Sequence, residues 1–272
     1  MFDKSKKIAL VLGGGDLVKS LIEECIFKKI DFKIIAIKEY YTEIKNIKPQ
    51  YYIGYNKIGN IFKILNQNNI RSVMFLGNIK KIPLQRLRPN LITFYYIIVL
   101  LTYYNKGDAE LLNRIIKIFS KKGFDILDTR VLLKKYLASD KENNLSKFTK
   151  IISKETIKYY FELAKNFGKE DVGQSIIVKN NRIILREDKE GTDKMIEKYK
   201  KIKSNFPAFL VKVSKPAQDL IIDLPTIGPN TIKKLIEVGL KGIIIEKNKT
   251  YIANIKQTLE LIKDNKLLFY AV

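Results

Sequence analysis

The sequence predicts an α/β protein in two parts: an N-terminal Rossmann-like parallel α/β domain over residues 1–136 and a mixed α+β domain over 151–272. Three observations carry this. The first roughly 130 residues alternate apolar strand-like runs with helix-like segments, the βαβ rhythm of a parallel sheet. Residues 137–150, LASDKENNLSKFTK, are polar and lack a hydrophobic period, which reads as a linker. Beyond them, apolar runs flank Asn180-Asn181 as in a hairpin with a tight turn, so the second sheet contains antiparallel strands.

In chain order, KIALVL is a strand, GGGD a turn and LVKSLIEECIFKK a helix. FKIIAIK is the next strand, YYIGY a short extended piece, IGNIFKILNQN a helix and SVMFLG another strand. Helices around 107–122 and the strand FDIL close the first part. In the second part a helix near 153–166 precedes the hairpin SIIVK–NN–RIIL, and FLVKV is a half-buried strand. Gly228-Pro229 open a helix that ends at Gly239, with proline just inside the start and glycine just past the end. GIIIEKNKTYIA reads as a second hairpin, 255–265 as a helix and LLFYAV as a closing strand.

Residues 91–104, LITFYYIIVLLTYY, are apolar or aromatic throughout but for two threonines. As a helix they reach only about 21 Å, short of a bilayer core of about 30 Å. A buried helix is the first expectation; a greasy surface that receives acyl chains or rests on a membrane is the alternative.

Composition narrows the chemistry. The 272 residues are 46% hydrophobic and 29% charged, as in a soluble globular protein with a real core. A single cysteine, Cys25, supports no internal disulfide and fits a reducing cytoplasm. The N-terminal residues run straight into a strand and show no cleavable signal pattern. There is no histidine, which removes the usual zinc ligand and every Ser-His or Cys-His nucleophile arrangement. Hydrolysis here would rest on carboxylates, lysines, backbone amides and a hard cation. The formal charge of +23 favours anionic partners. The lysines are scattered rather than striped with aromatics, so nucleic acid is not expected.

Gly13-Gly14-Gly15-Asp16 sits where a strand meets a helix, the place where amides cradle phosphates; a simple tight turn would look the same. Val18 occupies the position at which either a dinucleotide fingerprint or an NTPase loop would need glycine. Glu39, after the second strand, is placed for a ribose contact. In the second part, Glu187, Asp188, Glu190 and Asp193 crowd around Gly191-Thr192. Lysines, the start of a helix, or a divalent cation could each neutralise them; Mg²⁺ favours one or two carboxylates plus phosphate oxygens. Residues 209–229 add Lys212, Lys215, Asp219 and Asp223 at a strand-to-helix junction, suited to a phosphate and a metal or, equally, to a solvated turn.

DVGQ, EGTDKMI, VKVSKPAQD and DLPTIGP, in this order, resemble the LpxI-type UDP-2,3-diacylglucosamine pyrophosphatases of lipid A synthesis; LVLGGGDL, LRPNL and KGDAELL extend the resemblance over nearly the whole chain. Where the family has Leu-Pro and Met-Ala-Gly, this chain has Leu17-Val18 and Phe75-Leu76-Gly77. The resemblance implies Mg²⁺-assisted hydrolysis of UDP-2,3-diacylglucosamine to 2,3-diacylglucosamine 1-phosphate and UMP. Asp223 is then the expected catalytic residue with Lys215, and Asp223, Glu187, Glu190 and Asp193 the expected metal ligands. Substrate contacts are expected from Gly13, Gly14, Gly15, Asp16, Gln174, Thr192, Lys212, Gln218 and Thr226. A cytoplasmic location, peripheral contact with the inner membrane, a homodimer and a cleft between the two parts complete the expectation. A nucleotide-dependent oxidoreductase and a basic nucleic-acid-binding protein are the rivals.

Overall fold

The computed structural model describes residues 6–78, 87–104, 108–144, 148, 150–202, 206–215, 221 and 224–272, with backbone alone at 101–104, 108 and 109. The chain forms two units, the first built on residues 1–134 and the second on residues 135–218 and 224–272.

The first unit contains β1 (Ile8–Leu12), α1 (Leu17–Phe27), β2 (Phe32–Ile37), β3 (Tyr51–Ile53), α2 (Ile61–Gln67), β4 (Ser72–Leu76), α3 (Leu91–Tyr104), α4 (Asp108–Lys121), β5 (Asp125–Ile126) and α5 (Arg130–Leu133). Its five strands run in the order β3-β2-β1-β4-β5, and every pairing is parallel. All five residues of β1 are buried, the continuous apolar run that a central parallel strand requires. Ala9, Val11, Ile35, Ile37 and Val73 pack with Ile61 and Leu65 of α2 and with Phe119 and Phe124. Cys25 is fully buried on α1, and burial pushes its thiol pKa up to about 12; it behaves as a small hydrophobe. The buried-helix expectation for 91–104 is corrected: α3 forms, but one face of it is exposed.

The second unit contains α6 (Lys154–Gly168), β6 (Ser175–Lys179), β7 (Arg182–Arg186), α7 (Thr192–Tyr199), β8 (Ala208–Lys212), β9 (Thr226–Ile227), α8 (Pro229–Val238), β10 (Gly242–Ile245), β11 (Tyr251–Ile252), α9 (Ile255–Asp264) and β12 (Leu268–Ala271). The main sheet has the order β12-β10-β8-β6-β7, with β6 antiparallel to both its neighbours and the other pairings parallel. Asn180 and Asn181 adopt φ of 48° and 58°, the left-handed pair that closes a two-residue hairpin. One sheet face packs Ile177, Leu210, Ile243 and Phe269 against Ile196 of α7, Leu235 of α8 and Ile262 of α9. The other packs Ile176, Val178, Phe209 and Ile244 against Ile157, Tyr160 and Ala164 of α6.

Two expectations change here. The second hairpin does not form: β10 lies between β8 and β12, while β11 pairs with β9 in a separate two-stranded sheet. Every residue of β10 is buried, and such a run belongs in a sheet interior rather than in a half-exposed hairpin arm. The segment expected as a linker is fastened to the second unit over its described residues 137–144. Ala138 N–H donates to Thr250 O at 2.8 Å, and the amides of Asn143 and Asn144 bond Ala271 and Phe269 N–H at 2.7 and 2.8 Å. These side chains satisfy the open edge of β12, so polarity here marks edge protection rather than freedom.

Candidate active site at the carboxyl end of the second sheet

Because β7, β8, β10 and β12 run in one direction, their carboxyl ends meet at one sheet edge, where ligand sites of α/β sheets form. Glu187 follows β7, Lys212 ends β8 with Ser214 and Lys215 just beyond, and Glu246 follows β10. All five are buried.

Glu187 holds the first part of this edge together. Its Oε2 accepts the Gln174 N–H at 3.0 Å, and its Oε1 accepts the Thr192 hydroxyl at 3.0 Å. A Cβ at Gly173 would stand 2.7 Å from the Glu187 Cβ and carbonyl oxygen, so only glycine lets the DVGQ turn approach. Thr192 begins α7 and has one proton, which goes to the carboxylate. It therefore accepts from its other partners: Ser175 Oγ at 3.1 Å and Lys212 Nζ at 2.9 Å. Ser175 and Lys212 face each other across β6 and β8.

Lys212 is the unusual member. It is buried, yet among the described residues its ammonium meets no carboxylate at ion-pair distance, only the Thr192 hydroxyl. A buried ammonium with donors to spare is costly unless an anion completes it. Lys215 is likewise buried, with Nζ 3.1 Å from Asp171 Oδ1 and 3.2 Å from Asp171 O. Asp171 has φ 54°, a left-handed conformation that aspartate tolerates and that helps turn both oxygens to the same lysine.

A neighbouring cluster braces the edge. The Glu246 carboxylate accepts Ser214 N–H at 2.8 Å, Ser214 Oγ at 2.7 Å, Lys249 Nζ at 3.0 Å and Lys165 Nζ at 3.3 Å. Burial alone would raise its pKa, but the Ser214 hydroxyl and amide, with Lys249 and Lys165, outweigh this and hold it below the ordinary carboxylate range.

Of the expected residues, Gln174, Glu187, Thr192, Lys212 and Lys215 come together. Glu190 and Asp193 do not join them: Lys198 Nζ lies 2.6 Å from Glu190 and 2.7 Å from Asp188, and Lys234 Nζ lies 2.7 Å from Asp193. Lysines neutralise these acids at the surface, and no described group of three or more acids could hold a metal ion. Thr226 is exposed on β9, its hydroxyl donating to Leu224 O at 3.3 Å. Gln218 and Asp223 lie outside the described residues, so their expected roles rest on the sequence. Asp171, Ser175, Ser214 and Glu246 were not anticipated. Asp171 stands in the DVGQ motif and Glu246 directly after the apolar run GIII, the signals that could have found them.

The carboxyl end of the first sheet is built differently. Gly13 N–H donates to Leu76 O at 2.9 Å, and Gly14 exchanges backbone bonds with Asn78 at 3.2 and 2.7 Å. A Cβ at Gly14 would sit 2.6 Å from Tyr40 O, and one at Gly77 2.8 Å from Gly14 O. These glycines let three chain segments cross, and their amides are used in doing so. A phosphate contact at this turn is left to Gly15, Asp16 and the first turn of α1, which has no side-chain cap. Glu39 is engaged too: its two oxygens accept Tyr55 N–H at 3.3 and 3.1 Å rather than standing ready for a ribose.

The family model of the LpxI N-terminal domain matches residues 7–136, and that of the LpxI C-terminal domain matches residues 144–270. A relative from Caulobacter vibrioides, named UDP-2,3-diacylglucosamine pyrophosphatase LpxI, is 26% identical over 257 residues, spanning 92% of this chain and 91% of its own length.

Proposed function

The chain belongs to the LpxI family, and from that premise we propose that it hydrolyses the pyrophosphate bond of UDP-2,3-diacylglucosamine, releasing 2,3-diacylglucosamine 1-phosphate and UMP in lipid A biosynthesis. The observation that carries the chemistry is Lys212, a buried ammonium that among the described residues bonds only the Thr192 hydroxyl and so keeps donors for an anion. Neither an oxidoreductase nor a nucleic-acid-binding protein is favoured by the family match.

In this reading Lys212 holds a diphosphate oxygen as a fixed point charge, and Lys215 supports it from the next turn of the chain. Thr192 aims the Lys212 ammonium, and Glu187 keeps Thr192 and the Gln174 amide in place. Water adds to one phosphorus as the bridging P–O bond breaks, and the water proton passes to a base, for which Asp223 is proposed. Of the expected metal ligands among the described residues, Glu187 is the one left, since Glu190 and Asp193 are taken by lysines. Mg²⁺ needs only one or two carboxylates beside phosphate oxygens and water, so Glu187 with Asp223 is the ligand pair proposed. Bound there, the ion would neutralise charge on the phosphate oxygens.

Contact with the cytoplasmic face of the inner membrane belongs to the same reading. No described helix is long and apolar enough to cross a membrane, so contact through the described helices would be from one side.

The test is direct. Purified protein incubated with Mg²⁺ and the UDP-linked diacyl sugar should release UMP, and a chelator should stop it. Asp223→Ala should bind substrate but lose most turnover. A folded wild-type protein that releases no UMP ends the proposal; chelator-resistant turnover ends the Mg²⁺ part alone.

A further inference from the structure

Among the described side chains of α3, residues 91–100, the exposed ones are Leu91 (89%), Ile92 (50%), Phe94 (52%), Tyr95 (62%) and Ile98 (51%). At about 100° per residue, positions i, i+1, i+3, i+4 and i+7 share one side of a helix. That side is apolar or aromatic at each of these positions. Its outward direction is set by the opposite side. Thr93 is fully buried there, its Oγ1 accepting Gly59 N–H at 3.0 Å. A Cβ on Gly59 would lie 2.9 Å from Ile92 Cγ2 and 3.0 Å from Thr93 N, so glycine is what seats the helix so closely. Asn90 locks the start: its Oδ1 accepts Thr93 N–H at 3.0 Å and its Nδ2 donates to Asn60 Oδ1 at 3.0 Å. A helix held this way cannot roll its greasy side inward without losing these bonds.

Cations border this side. Tyr95 and Tyr96 share a recess with Arg114, Lys117, Lys121 and Lys122 of α4 and its end. Lys122 Nζ stands 5.7 Å from the Tyr96 ring centre, and exposed Arg88 precedes the helix. Exposed Glu110 is an acid on α4, one helical turn before Arg114. Apolar residues flanked by tyrosine and rimmed by lysine and arginine match an interface whose interior is hydrocarbon and whose headgroups are anionic. A second copy of the chain would bring the same cations against each other, which disfavours self-association through this side.

We propose that the outer side of α3, with the α4 cations, is the surface by which the protein docks on an anionic lipid bilayer. The helix lies in the headgroup plane, Phe94 and Ile98 entering the acyl boundary while Lys117, Lys121 and Lys122 meet lipid phosphates. This extends the membrane-side part of the proposed function, but it is tested without substrate, so its failure and the failure of UMP release are separate results.

The chain has no tryptophan, so Tyr95→Trp in the full-length protein carries the only indole. Its emission should move to shorter wavelength on adding vesicles of phosphatidylcholine with phosphatidylglycerol, and much less with phosphatidylcholine alone. In sedimentation with the mixed vesicles, Lys117→Glu with Lys121→Glu should weaken binding by about tenfold or more, and added salt should do the same. Phe94→Ser with Ile98→Ser, checked for folding by circular dichroism, should abolish it. An unmoved emission maximum, equal binding to both vesicle types, or retained binding by the folded serine variant overturns the proposal. A dimer that the serine variant dissolves overturns it in favour of a protein interface.

Discussion

At the carboxyl ends of β1 and β4 the first sheet presents glycines whose amides bond neighbouring chain, whereas the second sheet ends β7, β8 and β10 in buried Glu187, Lys212, Lys215 and Glu246. Both edges lie where α/β sheets collect ligands. The first is organised by close backbone approach and tolerates almost no added atom. The second is organised by side-chain charge, with one carboxylate and one hydroxyl orienting an ammonium. Shape specifies one edge and electrostatics the other, so substitutions at the two should fail in different ways.

The largest expected effect falls on the charged edge. Lys212→Met should cut kcat/KM for UMP release by about a hundredfold or more, the scale of losing one preorganised charge contact to the reacting group. Stability should change little, because a desolvated ammonium is removed along with its contact. A variant with near-normal turnover would erase the distinction between the two edges. Thr192→Val should cost less, and Thr192→Ser should restore most of the loss, since only the hydroxyl aims Lys212.

On the glycine edge the order of effects reverses. Gly77 has φ 103° and room for no Cβ beside Gly13 and Gly14, so Gly77→Ala should lower unfolding free energy by about 2–4 kcal/mol, read from a denaturant midpoint. A midpoint shift at or below 0.5 kcal/mol, about the scale of an ordinary surface change, would show that this crossing can relax.

A pH titration separates the braced carboxylate from the rest. The Glu246 pKa is held below its ordinary 4.5, so it contributes stability above that value and loses it as pH falls through the lower folded value. Glu246→Gln should therefore flatten the acid limb of the stability curve; an unchanged limb would show that another carboxylate controls it. The smallest effect is expected at Glu190. It is exposed and paired with Lys198, and Glu190→Gln should leave both melting and UMP release nearly unchanged. Loss of turnover there would return Glu190 to the metal.

The alternation of elements in the first unit was legible because each parallel strand is a short apolar run bounded by glycine or polar turns. The Asn-Asn hairpin and the Pro229-to-Gly239 helix were legible for the same reason: local backbone preferences decide them. What misled was local appearance without its partner. GIII beside a lysine-rich turn looked like a hairpin arm until its neighbours proved to be β8 and β12. LASDKENN looked free because an asparagine that bonds an edge strand reads, in sequence, like one that bonds water. The acids around Gly191 looked like one cluster because they are adjacent in the chain, yet Asp188 and Glu190 share Lys198, Asp193 pairs with Lys234 and Glu187 turns to Thr192.

The sequence by itself determined the βαβ order, the exclusion of histidine chemistry, the family motifs and the positions of Glu187, Lys212 and Lys215, since these follow from residue identity and short-range periodicity. Only the tertiary structure decided that Glu187 and Lys212 share Thr192, that Glu190 and Asp193 are taken by lysines, and that α3 turns a greasy side outward. The reason is physical: a charge or an apolar side chain acquires its role from what lies within a few ångströms of it, and such neighbours often stand far along the chain, as Lys212 does from Thr192 and Lys234 from Asp193.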